Sequence, residues 1–172
     1  MFFSFIPNWT FKEWIKAILT IGGFLLIVFL VIHAANSQKI TPATAEQVAQ
    51  AIEEQGYEAI DATDEWYEPN SYLISVVSAE KDDFKVLYFI FENDKKALDI
   101  MQQIRSFIYN YRYDTKNKSY ENAMANFTIY TIHCNNMFSA CTRVGNTVFY
   151  AECSEQDSEK AIKIMDSIGY LK

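Results

Sequence analysis

Glycine and proline are scarce in this chain, five and three in 172 residues, and histidine occurs only twice. So few glycines leave no place for a phosphate-cradling G-x-G-x-x-G or P-loop segment, and neither a serine nucleophile elbow nor a kinase signature is present. The three cysteines, Cys134, Cys141 and Cys153, are an odd number and fit no zinc spacing, which argues against a disulfide-dense scaffold. Bases are also in the minority. Removing Lys12, Lys16 and Glu13 from the 15 bases and 22 acids leaves 13 and 21, a net −8 after residue 16. Such a domain gains nothing from counterion release, so nucleic acid is excluded as a partner, and it should not lie flat on an anionic membrane surface.

Catalytic groups are equally thin. His33 falls at the end of an apolar run. His133 adjoins Cys134, but neighbouring strand residues point to opposite faces, so thiol and imidazole cannot meet there. Asp61, Asp64, Glu65 and Glu68 form an acidic cluster without the ligand spacing of a calcium loop and read as a solvated loop. No catalytic, cofactor-binding or metal-binding residue is assigned, and no cofactor is expected.

What the chain does have is a long apolar run. Ala17 to Ala35 (AILTIGGFLLIVFLVIHAA) contains 19 residues without a formal charge. As a helix rising ~1.5 Å per residue it nearly matches the ~30 Å hydrocarbon layer of a bilayer, with its backbone hydrogen bonds satisfied internally. Membrane lipid is therefore the expected partner of this span. The preceding segment is rich in Phe and Trp, suiting the headgroup layer, and Lys12 and Lys16 flank the run on that side. The charge bias places the amino terminus in the cytoplasm and the acidic domain outside. Ala35-Asn36-Ser37 offers an alternative: cleavage after Ser37 and secretion. The run exceeds a normal signal-peptide core, which favours the uncleaved anchor. Gly22-Gly23 invites close approach of a second helix without forming a GxxxG motif.

The chain thus divides into an aromatic amino terminus and anchor (residues 1–35), a linker (36–43) and an extracytoplasmic domain (44–172). A helix is expected from Thr44 to Gln55, opened by a Thr44/Gln47 capping box and closed at Gly56. Tyr57 to Ala62 reads as a short strand, and Asp64 to Asn70 as a loop. Tyr72 to Ala79 and Phe84 to Phe91 read as a hairpin, the second strand being apolar on both parities apart from Lys85. Ala97, Met101, Ile104 and Ile108 mark one face of a helix from Asp94 to Asn110. The polar stretch from Tyr111 to Ala123 reads as a loop. Strands follow at Asn126 to Cys134, Met137 to Val144 and Thr147 to Cys153, joined by the two-residue turns Asn135-Asn136 and Gly145-Asn146. A last helix spans Glu155 to Ile168. The pattern is α+β: one antiparallel sheet of about five strands with helices on a single face. Because strand-strand-helix occurs twice, a ββα pseudo-repeat is also expected.

Two-residue turns set the register. Phe127, Ile129, Phe138, Ala140, Phe149, Ala151 and Cys153 fall on the core face. Thr128, Tyr130, Cys134, Ser139, Cys141, Arg143, Tyr150 and Glu152 fall on the other. Cys134 and Cys141 then lie ~13 Å apart along the strands, beyond disulfide reach, at ~3.3 Å per residue. If the second face is bare, Tyr130, Arg143 and Tyr150 form a ring-lined surface suited to protein or glycan contact, and Trp66 in the acidic loop is a further candidate contact residue.

The order of anchor, Thr44-Ala45-Glu46-Gln47 helix ending in Gly56-Tyr57, FYF-like strands, Arg143-Val-Gly-Asn-Thr-Val148 and a helix ending Ile168-Gly-Tyr170 resembles small uncharacterised membrane-anchored or exported proteins of Firmicutes. That resemblance implies an α+β extracytoplasmic domain and carries no catalytic residues. The resulting expectation is a non-enzymatic, single-pass membrane protein whose outer domain binds a protein partner or supports an envelope assembly. The alternatives are a secreted or anchored enzyme whose site the sequence hides, and an accessory subunit of a membrane complex.

Overall fold

The computed structural model describes residues 11–36, 39–69, 72–112, 118–123 and 126–171. Residues 1–10 of the aromatic amino terminus, Ser37 and Asn70 lie outside them. Two compact units are present, Met1–Gln38 and Lys39–Lys172.

The first unit holds helix α1, Phe11–Asn36, 26 residues long. Its described side chains are Lys12, Lys16 and residues 18–29, and the apolar ones among them are exposed, from 37 % at Val28 to 70 % at Leu19. Among the described residues no helix is long and apolar enough to cross a membrane.

The second unit is an α+β fold on one antiparallel sheet. Its strands are β1 (Ile60–Asp61), β2 (Leu73–Lys81), β3 (Phe84–Phe91), β4 (Lys118–Ala123), β5 (Phe127–Cys134), β6 (Met137–Val144) and β7 (Thr147–Ser154), in the order β1-β2-β3-β7-β6-β5-β4. Its helices are α2 (Ala45–Glu54), α3 (Thr63–Trp66), α4 (Asp94–Arg112) and α5 (Ser158–Ser167). Among the described residues, both of its hydrophobic cores are built from residues 40–171, within this unit.

The hairpin registers follow the turns. Cys134 pairs with Met137, and Tyr130 with Cys141. Asn135 and Asn136 both take positive φ, as a type I′ link requires, and Gly145 takes φ +55°. All seven residues assigned to the core face from Phe127 to Cys153 sit in one cluster with α2 and α5.

Three expectations need correction. The sheet has six full strands and a two-residue β1, not about five strands in all. The extra one, β4, lies in the stretch read as a loop; its polar sequence KSYENA pairs only with β5 at the sheet edge, where no apolar alternation is demanded. The helices cover both faces. α2 and α5 close one, while α4 seats Ala97, Met101 and Ile108 on the other against Val76, Leu87, Phe89, Tyr130, Ile132, Cys141 and Val148. The doubly apolar β3 is the sequence mark of this arrangement, because a strand buried on both faces loses its alternation. Finally, the two strand-strand-helix segments are not a structural repeat. A two-fold axis normal to the sheet between β3 and β7 would place α4 and α5 on one face, and they lie on opposite faces.

Residues 39–43, read as linker, are packed onto the sheet. Asn126 holds Ile40 at both backbone groups, accepting from its N–H at 3.1 Å and donating to its carbonyl at 2.7 Å. The Tyr88 hydroxyl donates to the Ala43 carbonyl (2.6 Å), and the Ala43 N–H donates to Tyr170 Oη (3.0 Å). Thr147 donates to the Val144 carbonyl, which leaves the Tyr170 proton for Thr147 Oγ1 at 2.6 Å. Three buried hydroxyls are thereby satisfied, and the entering strap is tied to β3, β7 and the carboxy terminus.

Candidate functional site

The side chains of β3 that face α4 are Lys85, Leu87, Phe89 and Phe91. α4 packs its Ala97–Met101–Ile108 stripe onto the sheet and turns Lys96, Ile100, Gln103, Ile104 and Phe107 toward a cleft beside it. The opposite wall is the α3 loop. Trp66 stands edge-on to Phe89, with ring centroids 5.4 Å apart, and Phe89 stacks on Phe91 at 6.1 Å. Glu68, Pro69 and Leu73 continue that wall, and Tyr150 and Glu152 of β7 close the floor. The cavity between them measures about 800 Å³. Its base is buried, whereas Trp66 and Phe107 at its mouth are 43 % and 54 % exposed. Apolar area left wet beside a concave base is the usual signature of a binding surface.

Polar groups occupy the two ends. At one, Lys85 pairs with Glu80 at 2.9 Å, and Tyr150 Oη donates to Glu152 Oε2. At the other, Lys96 lies over the Tyr72 ring, 5.9 Å from its centroid, and makes no ion pair among the described residues.

The four residues expected to form a contact face are only partly brought together. Trp66 and Tyr150 line this one cleft. Tyr130 and Arg143 do not, and the bare sheet face assigned to Tyr130, Arg143 and Tyr150 is instead covered by α4, leaving them 5 %, 6 % and 8 % exposed. Arg105 of α4 sits over the Tyr130 ring at 5.5 Å. Arg143 Nη1 donates to the Gly145 carbonyl at 3.2 Å, while its buried Nε has no partner. Burial pushes its guanidinium pKa down, and the negative charge of Asp94 at the start of α4 opposes that. Arg143 therefore acts at the β6–β7 turn and the α4 start, as a structural residue. Leu73, Leu87, Phe89, Ile100 and Phe107 were not foreseen in the site. The available signals were the doubly apolar β3 and Phe107, an aromatic outside the α4 packing stripe.

A second cavity, about 720 Å³, lies at the β2–β3 turn among Gln55, Tyr57, Asp82, Asp83, Asn136 and Glu155. It lacks an apolar floor. Lys160 there bonds Asp157 at 2.8 Å and the Tyr57 hydroxyl at 3.2 Å; the bond to Asp157 raises the ammonium pKa, and the same bond lowers the carboxyl. His133 Nδ1 meets Glu155 at 2.9 Å nearby. Among the described residues no three His, Cys, Asp or Glu side chains converge as metal ligands.

No protein-family model matches the chain, and no curated protein does. Two crystal structures are similar in outline. One is a GTP binding regulator from Thermotoga maritima, 12 % identical, with TM-score 0.44 over 75 % of this chain and 90 % of its own. The other is the extracellular domain of PknH from Mycobacterium tuberculosis, 10 % identical, with TM-score 0.40 over 76 % and 99 %. Likenesses at this level carry no functional assignment.

Proposed function

We propose that the chain is a non-enzymatic binding module held on the cell membrane by a single span, with the 39–172 unit outside and the α3–α4 cleft as its binding site. The observation that carries the reading is the cleft itself. Trp66 and Tyr150, from distant parts of the sequence, share an apolar concavity of about 800 Å³ whose mouth leaves large rings in water. The anchor is supported by the sequence from Ala17 to Ala35 lying within helix α1, and by Lys12 and Lys16 on its amino-terminal side. An envelope partner or lipid that offers an apolar group is what such a cleft takes.

The 39–172 unit makes the test direct, because Trp66 is its sole tryptophan. Titration with the neutral polarity-sensitive dye Nile red should give saturable, one-to-one binding and a shift in Trp66 emission. The Ile104→Glu variant, which puts a charge on the half-buried wall, should lose both. Non-saturable binding, or an unchanged titration in that variant, overturns the cleft as the site.

A further inference from the structure

Resting on that reading of the cleft, the shape and chemistry of its lining select one class of occupant. Along β3 the floor runs from Lys85 to Phe91, six residue steps, or about 20 Å at strand rise. Along α4 the wall runs from Lys96 to Phe107, eleven steps, or about 16 Å at helical rise. The cleft is therefore elongated, and its mouth stays open between Trp66 and Phe107.

An extended peptide fits the length but not the chemistry. The backbone groups of β3 are committed to β2 on one side and β7 on the other. The floor offers Leu87, Phe89 and Phe91, and the Tyr150 hydroxyl is already given to Glu152. A peptide laid there would bury N–H and C=O groups without partners, which proteins avoid. A hydrocarbon chain has no such groups.

The ends then orient it. Lys85 is held by Glu80, whereas Lys96, at the Phe91 end, has no ion-pair partner among the described residues. Glu68 lines the same cavity without pairing to Lys96, so a singly charged head suits the site better than a doubly charged phosphate monoester. We propose that the cleft holds one long-chain fatty acyl group, its carboxylate at Lys96 and its tail along Phe91, Phe89 and Leu87. Trp66, edge-on to Phe89, flanks the tail.

The 39–172 unit is titrated with palmitate below its micelle concentration, with neutral monopalmitoylglycerol, and with an amphipathic helical peptide, Trp66 emission being read each time. Palmitate should saturate at one equivalent. Lys96→Ala should weaken palmitate about tenfold, the size of one charge-assisted contact, and leave monopalmitoylglycerol unchanged. Ile104→Glu should abolish both, with circular dichroism and melting confirming that the variants fold. If Nile red binds and palmitate does not, or if only the peptide displaces the dye, the acyl assignment fails while the cleft remains a binding site. If neither dye nor palmitate binds, both fail. Equal weakening of acid and glyceride by Lys96→Ala overturns the placement of the carboxylate.

Discussion

Cys141 lies under α4 with no exposed surface, and burial alone pushes its thiol pKa well above the ordinary range. Tyr88, inside the hydroxyl network, is shifted the same way, first by desolvation and then by the neighbouring Tyr170. For both groups the folded state holds its proton more tightly than the unfolded chain. Their contribution to stability is therefore complete below the unfolded pKa and drains away as pH rises beyond it. Melting temperature should be flat with respect to these groups up to about pH 8. It should then fall as the unfolding free energy drops by up to about 1.4 kcal/mol per pH unit for each group, first through the thiol and above about pH 10 through the phenol. Cys141→Ala alters the cavity and so the absolute stability, but the diagnostic is slope: between pH 9 and 10 the variant should decline less steeply than the parent. Equal slopes would remove Cys141 from the account. None of this was visible in the sequence. The register assigned Cys141 to the right face, yet whether that face is wet depends on where a helix some 40 residues earlier comes to rest.

At the scale of elements, the β6–β7 turn both sets a register and seats the strap. Gly145 has φ +55°, and a Cβ there would stand 3.0 Å from Pro42 Cγ. Gly56, at φ +83°, has nothing within 4 Å of a Cβ. Alanine at either site meets the left-handed backbone cost of about 1–2 kcal/mol, but only at Gly145 must the strap also give way. Gly145→Ala should therefore destabilise more than Gly56→Ala and speed amide exchange at Ile40, measured by hydrogen exchange on the 39–172 unit. Equal losses with unchanged exchange would mean that Pro42 moves freely. The turn chemistry explains why the hairpins were legible: two-residue links admit one register, and one-residue slips turn every side chain over. β4 was not, because an edge strand needs only a backbone partner. The one-face placement of the helices failed for a related reason. The α4 stripe says that the helix is amphipathic, but not which face of the sheet its apolar side meets.

For the whole molecule, two of the four foreseen contact residues, Trp66 and Tyr150, line the proposed cleft. They do so because each combines an apolar body with a position beside β3, a strand that contributes to both cores. Tyr130 and Arg143 were displaced from the surface by α4, whose coverage cannot be read from pairing alone. The cleft is a tertiary product of β3, α3 and α4, and no contiguous motif encodes it. The proposed anchor is the opposite case: it would be written in one uninterrupted stretch, and its length is its argument. The central claim, a binding module kept at the membrane by that stretch, is tested most directly by the intact mass of the protein recovered from carbonate-washed membranes. The account predicts the chain in the pellet with Met1 retained or removed only as a single residue. Recovery of a chain beginning after Ser37, or of the full chain in the wash, would contradict it.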